Sequence, residues 1–153
     1  MSVTSGNIED IIKILGNLQP FLSKPIIKNK LIDFFKSESE FQLETIELIL
    51  NSLENINIQK YQDLISSWLQ VLVYFENTKI NQIIKLFLVG LIKRKDLINP
   101  LQPVLVNCIN KMSIDQKDKL RYCFLETLFM IPNYKNIIPS NLSEETLKFL
   151  FKY

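Results

Sequence analysis

The sequence predicts an all-α protein of one domain spanning residues 1–153, arranged as an open right-handed stack of about four antiparallel helix pairs. Three observations carry that reading. Only three glycines, Gly6, Gly16 and Gly90, occur in the 153 residues, too few for a turn-rich β protein. Apolar residues recur at spacings of three and four, the period of a helix face. Helix start signals stand where the apolar stripes begin. A closed bundle of similar helices is the alternative architecture. The chain holds 22 Ile, and Ile by itself favours strands, but here the period decides against propensity.

Each element follows in order, with ends uncertain by about ±2–4 residues. Asn7 can cap a first stripe in the segment 8–24, its helical pattern ending near Leu18. Ser23 to Pro25 is a cap followed by a first-turn proline, which starts a helix over 24–37. Ser39-Glu40-Phe41-Gln42 matches the capping box, in which the serine accepts from the third helical amide and the glutamine reaches back. It opens a helix over 40–55 with Leu43, Ile46, Leu50 and Leu53 on one face. Asn57 caps the segment 58–76, striped by Leu64, Ile65, Trp68, Leu72 and Phe75. Asn77 or Thr78 caps 78–95, whose face is Ile80, Ile83, Ile84, Phe87, Leu88 and Leu91. Asn99 before Pro100 opens 100–112, with Leu101, Val104, Leu105, Cys108, Ile109 and Met112. A second capping box, Ser113-Ile114-Asp115-Gln116, opens 114–130, with Leu120, Cys123, Phe124 and Leu128. Ser143-Glu144-Glu145 caps a last helix within 139–152.

The stripes also repeat. A shift of 37 residues sets Leu43 on Ile80, Ile46 on Ile83 and Leu50 on Phe87. The next helix follows without a gap, with Leu64 on Leu101, Trp68 on Leu105 and Leu72 on Ile109. A second shift places Ile83 on Leu120 and Phe87 on Phe124. Helix pairs of this length resemble the HEAT and armadillo class of helical repeats, slightly below their usual ~40–47 residues. The resemblance is one of architecture and implies a solenoid in which each unit contacts its neighbours. No functional residue is carried over with it. The tetratricopeptide pattern is not met, because its small-residue positions need alanine and this chain has none. Trp68 and Leu105, equivalent under the shift, are expected to be buried between units.

Composition excludes several kinds of chemistry. Without histidine the chain lacks Ser-His and Cys-His nucleophile pairs, histidine metal sites and the usual base near neutral pH. No G-x-x-x-x-G-K or G-x-G-x-x-G run offers a phosphate cradle. Two cysteines, Cys108 and Cys123, cannot supply the four ligands of a zinc site and read as core thiols of a reducing compartment. Glu38 with Glu40, and Asp115 with Asp118, lie at helix starts, where carboxylates complement the helix dipole. No cofactor, metal or catalytic group is expected, and the chain reads as non-enzymatic. The N-terminal MSVTSGNIED lacks the basic and apolar regions of a signal peptide. The longest uncharged apolar window, Leu64 to Phe75, is too short for the ~20 residues of a membrane span. The expected setting is therefore the cytoplasm or nucleus, without a membrane.

Charge is divided unevenly. Residues 1–76 carry 6 lysines against 10 acids, and residues 77–153 carry 10 lysines and 2 arginines against 6 acids. Lys93, Arg94 and Lys95 end one helix, where cations suit the dipole. Lys117, Lys119 and Arg121 stand early in another, where they do not. These six residues, with Phe151 and Tyr153 at an uncovered apolar end, are the candidate partner-binding residues. Tyr61, Tyr134 and Tyr153 fall off or between the stripes, positions favoured at interfaces. The expected function is a protein–protein interaction subunit or adaptor in a larger assembly, its partner presenting an acidic surface. The alternative is a helical-repeat module that binds nucleic acid through the basic half, although two arginines are few for that purpose. On this reading, reversing Lys117, Lys119 and Arg121 to glutamate leaves the fold intact and weakens only partner binding.

Overall fold

The computed structural model describes residues 5–151, and every regular element among them is helical. In chain order these are α1 (Ser5–Gly16), α2 (Pro20–Lys36), α3 (Ser39–Glu54), α4 (Gln62–Leu72), α5 (Asn77–Lys93), α6 (Ile98–Asn110), α7 (Ile114–Met130), α8 (Tyr134–Asn141) and α9 (Glu144–Phe151). Short 3₁₀ turns, Ile58–Tyr61 and Lys95–Leu97, lead into α4 and α6. Among the described residues no helix is long and apolar enough to cross a membrane.

From α1 to α7 each helix packs chiefly on the helix two elements away, and α8 and α9 close the far end on α7 and α6. α1 lies on α3, α3 on α5 and α5 on α7, while α2 lies on α4, α4 on α6 and α6 on α9. Consecutive helices thus alternate between two layers. Within a layer they run the same way: the first turns of α3 and α5 meet at Gln42 and Gln82, and their last turns meet at Glu54 and Arg94. The core lies between the layers. Ile46 and Leu50 of α3, Leu72 of α4, Ile80 of α5, Val104 of α6, and Cys123 and Leu128 of α7 are each 1% exposed or less. A smaller cluster joins Leu88, Leu128 and Ile131 beneath Tyr134.

One glycine is required by this packing. A β-carbon on Gly90 of α5 would stand 2.5 Å from Leu50 Cδ1 of α3. Glycine inside a helix is about 1 kcal/mol less favourable than alanine, but a methyl here would force Leu50, 1% exposed, to move within the core. The close approach of α3 and α5 decides the residue.

Several local expectations hold. α7 begins and ends where its stripe does, and its capping box forms: Gln116 N donates to Ser113 Oγ at 3.3 Å, and Ser113 N to Gln116 Oε1 at 3.4 Å. Asn57 Oδ1 accepts from Gln59 N at 3.2 Å, and Ser143 Oγ from Thr146 N at 3.2 Å. Other caps are corrected. Asn7 lies inside α1, and Ser23 and Pro25 lie inside α2, which starts at Pro20. Pro25 removes one amide from the ladder, on an exposed side where water reaches the freed carbonyl. Ser39 is the first residue of α3, not its cap, and Asn77 is likewise the first of α5, after Glu76. α6 starts at Ile98, before the Asn99-Pro100 signal.

Tertiary hydrogen bonds explain where one predicted cap and two predicted helices fail. Gln42, 4% exposed, does not reach back to a cap. Its Nε2 donates to the carbonyls of Phe34 at 2.8 Å and Ser37 at 3.3 Å, closing the end of α2, and its Oε1 accepts from Gln82 Nε2 at 2.7 Å. The helix expected over 58–76 is a 3₁₀ turn followed by α4, which stops at Leu72. Beyond it the carbonyls of Val73 and Phe75 accept from Lys119 Nζ of α7 at 2.7 and 2.9 Å. The helix expected over 139–152 is two helices, because Gln102 of α6 holds the break between them. Its Nε2 donates to Asn141 O at 2.6 Å, and its Oε1 accepts from Ser143 N at 2.7 Å. Trp68 and Leu105 are half-buried, not buried; Trp68 sits edge-on to Phe87 with ring centroids 5.6 Å apart. Leu72 and Val104 hold the central places instead.

Two substitutions test this packing by urea unfolding. Gly90→Ala should lower stability by about 1 kcal/mol, because overpacking outweighs the gain in helix propensity. Gln42→Leu should cost about 2 kcal/mol by removing the side-chain donor to the Phe34 and Ser37 carbonyls and the acceptor of Gln82. An unchanged midpoint for Gly90→Ala would mean that α3 and α5 lie further apart than described.

Candidate functional site

The six basic candidates do not form one patch. Lys93 and Lys95 sit at the end of α5, and Lys117, Lys119 and Arg121 in the first half of α7. α5 and α7 also run the same way, since Lys119 reaches the carbonyls just before α5 while Leu88 packs on Leu128 near the end of α7. The two groups therefore lie at opposite edges of their layer, separated by much of a helix of about 25 Å.

Their environments differ as much as their positions. Arg94 leaves α5 and grips its surroundings with the whole guanidinium. Nε and Nη2 donate to the two Asp96 carboxylate oxygens, both at 3.1 Å, Nη1 donates to Asn51 Oδ1 at 2.5 Å, and Nη2 pairs with Glu54 Oε2 at 3.1 Å. These hydrogen bonds hold the Asp96 carboxyl below its usual range. Lys93 and Lys95, on either side, are exposed. Lys119 is half-buried and committed to the carbonyls beyond α4. Arg121 is bound on every side: Nε donates to Phe149 O at 2.7 Å, Nη1 pairs with Asp118, and the guanidinium lies 4.8 Å from the Phe149 ring centroid. It ties α7 to α9. Lys117 is half-exposed, and Phe151 is 43% exposed. Tyr153 lies outside the described residues.

The benefit that retains cations early in α7 is thus internal for two of the three. Lys119 serves as a carbonyl donor to another helix, and Arg121 as a bracket between helices. The structure argues against a triple reversal that leaves the fold intact, since glutamate at 119 or 121 would face carbonyl oxygens.

A different set of exposed side chains stands out. Large apolar residues reach solvent at Ile14 of α1 and at Phe21, Leu22 and Ile26 of α2. They do so again at Ile114, Tyr122, Phe129 and Met130 of α7 and at Phe151 of α9. α3, α4, α5 and α6 expose none, and Tyr74 projects from the turn between α4 and α5. The apolar surface is therefore concentrated on the first and last helices. On α7 the face is also acidic: Tyr122 bonds Glu126 one turn on, and that carboxylate pushes the phenol pKa up.

Sequence reasoning missed both faces. On α2 the helix was expected to start at 24, which left Phe21 and Leu22 on no face at all. On α7 the signal was present, since Tyr122, Phe129 and Met130 fall off the Leu120–Leu128 stripe. Neither cysteine adds chemistry. Cys108 and Cys123 are buried free thiols whose pKa values are raised chiefly by burial, which makes them poor nucleophiles. Depressions in the surface are shallow, such as the one lined by Leu53, Glu54, Ile58, Leu97, Pro100 and Pro103.

Charge reversals separate structural from free cations in thermal melts. Lys93→Glu with Lys95→Glu should stay within about 0.5 kcal/mol of wild type, as exposed substitutions do. Lys119→Glu and Arg121→Glu should each lose about 2 kcal/mol or more, through unmet carbonyls and a broken bracket. Equal melting of all the variants would show that the internal bonds contribute nothing.

No family model matches the chain, and neither a curated protein nor a solved structure matches it.

Proposed function

We propose that the protein is a non-enzymatic interaction subunit or adaptor of a larger assembly, working through protein surfaces rather than a pocket. One observation carries this reading: exposed large apolar side chains gather on α1, α2, α7 and α9 and are absent from α3 to α6. In a row of helices that pack on neighbours two elements away, inner helices have a neighbour on each side and end helices lack one. An apolar face retained at such an end suits coverage by a partner.

The same packing supports an open stack of the HEAT and armadillo kind, with a right-handed course and a unit of about 37 residues. Ile46, Ile83 and Leu120, equivalent under that shift, are all buried, and Trp68 and Leu105 are alike half-buried. The setting proposed is the cytoplasm or nucleus. An acidic partner surface remains the proposed complement of the free cations Lys93 and Lys95. Nucleic acid is the weaker alternative, because both arginines are engaged within the fold and duplex and single-strand recognition favour free guanidinium groups.

Affinity purification of the tagged full chain after nuclease treatment, read by mass spectrometry, tests the proposal. One stoichiometric protein partner is the expected result. Filter binding to nucleic acid with a steep loss of affinity in salt, and no stoichiometric protein, would replace it with the alternative.

A further inference from the structure

The two exposed apolar faces carry opposite charge. α2 holds four lysines, Lys24, Lys28, Lys30 and Lys36, against one carboxylate, Asp33. Its first two turns expose Phe21, Leu22, Pro25 and Ile26 along one broad strip, with Lys28 and Lys30 on the turn that follows. On α7 the outward side bears Asp115, Asp118 and Glu126 around Tyr122 and Phe129, which stand two turns apart on one face. Of the three cations of α7, Lys117 is half-exposed on a different side of the helix from Tyr122, and the other two do not offset these acids outside. Lys119 is turned onto the carbonyls of Val73 and Phe75, and Arg121 onto Asp118 and Phe149. Asp118 is matched by Arg121, and Glu126 accepts from Asn81 Nδ2 at 3.3 Å, but Asp115 and Glu126 both remain exposed on the strip. The chain therefore bears a basic apolar helix near one end of its packing order and, near the other, an apolar helix face whose exposed charges are carboxylates.

We infer that the chain associates with a second copy of itself head to tail, the outer face of α2 in one copy docking on the outer face of α7 in the next. The inference rests on the reading of these faces as protein interfaces, and it names the partner. Two like faces would set lysines on lysines or carboxylates on carboxylates, so a two-fold contact is disfavoured and the pairing is heterologous. Such a contact leaves one α2 face and one α7 face free on every assembly. Growth is therefore open-ended unless a cap intervenes. A contact of one helix face on another is small, so exchange is rapid and assembly depends on concentration. Part of the attraction is between exposed charges, so it weakens as salt rises.

Sedimentation velocity of the full chain tests this over about 10–500 µM, at salt giving Debye lengths of about 14 and 4 Å. The weight-average mass should climb from 18.0 kDa past that of a dimer at low salt, and fall back at high salt. One variant, Phe21→Ser with Leu22→Ser, removes the α2 face, and another, Tyr122→Ser with Phe129→Ser, removes the α7 face. All four residues are substantially exposed, so each variant should melt near wild type. Each alone should associate about tenfold or more weakly, as loss of aromatic anchors does. An equimolar mixture should form a 1:1 dimer and stop there, because one intact face of each kind remains. Dimers from the α7 variant alone would reveal a two-fold α2 contact and overturn the inference, as would a mixture that stays monomeric. A wild-type chain that holds 18.0 kDa at every concentration overturns self-association as well. That result leaves the adaptor reading to its own test, the stoichiometric partner.

Discussion

The packing of each helix on the helix two elements away is the constraint on which the rest of the structure depends. It buries Ile46 and Leu50 of α3 against α5, and it brings the two helices close enough that only Gly90 fits opposite Leu50. It also fixes direction. Alternate helices run the same way, so the last turn of each even helix arrives beside the first turns of odd ones. The final carbonyls of a helix have no partner within it. Here side chains from the other layer supply the donors, Gln42 for α2 and Lys119 for α4. A polar row along one edge is thus a consequence of the apolar packing rather than a separate feature.

The same arrangement explains why apolar surface collects at the ends. A helix inside a layer is flanked on both sides and can be apolar on two of its faces without meeting water. A first or last helix with a similar composition has one face too many. Phe21 and Leu22 on α2, and Tyr122 and Phe129 on α7, are that surplus. Burial of a side chain of this size is worth about 1.5–3 kcal/mol, so the surplus represents unused association energy. α9 covers part of the last helix, and Arg121 stacked on Phe149 holds it there.

Charge in this protein means something different at each position. The sequence count places a surplus of cations in the second half. Two of those cations are withdrawn into the fold as donors, and Arg94 is spent on Asp96, Glu54 and Asn51. α7 holds three carboxylates against three cations and is formally neutral, yet the face around Tyr122 and Phe129 is left with exposed carboxylates. A formally neutral helix shows an acidic face because long cationic side chains can reach inward to carbonyls, whereas short carboxylates stay where the helix puts them.

The sequence by itself determined the all-helical class, the position of α7 and the stripes that became the core. These depend on local period and on a capping box whose two partners are three residues apart. The Ser113 box formed for that reason. It also located Lys93 and Lys95 as exposed cations at a helix end, where dipole and solvent favour them without help from another element. Only the tertiary structure decided the rest. The Ser39 box was legible yet did not form, because Gln42 found carbonyls of α2 that no local rule could place. The last helix broke at residues 141–143 because Gln102, some forty positions earlier, bonded both sides of the break. Lys119 and Arg121 read as a docking face, and in the fold both are bonded to neighbouring segments, while Phe21 and Leu22 went unread and are exposed. Period and caps act over one turn of chain; the fate of a long polar side chain, and of an apolar face, depends on which helix arrives beside it.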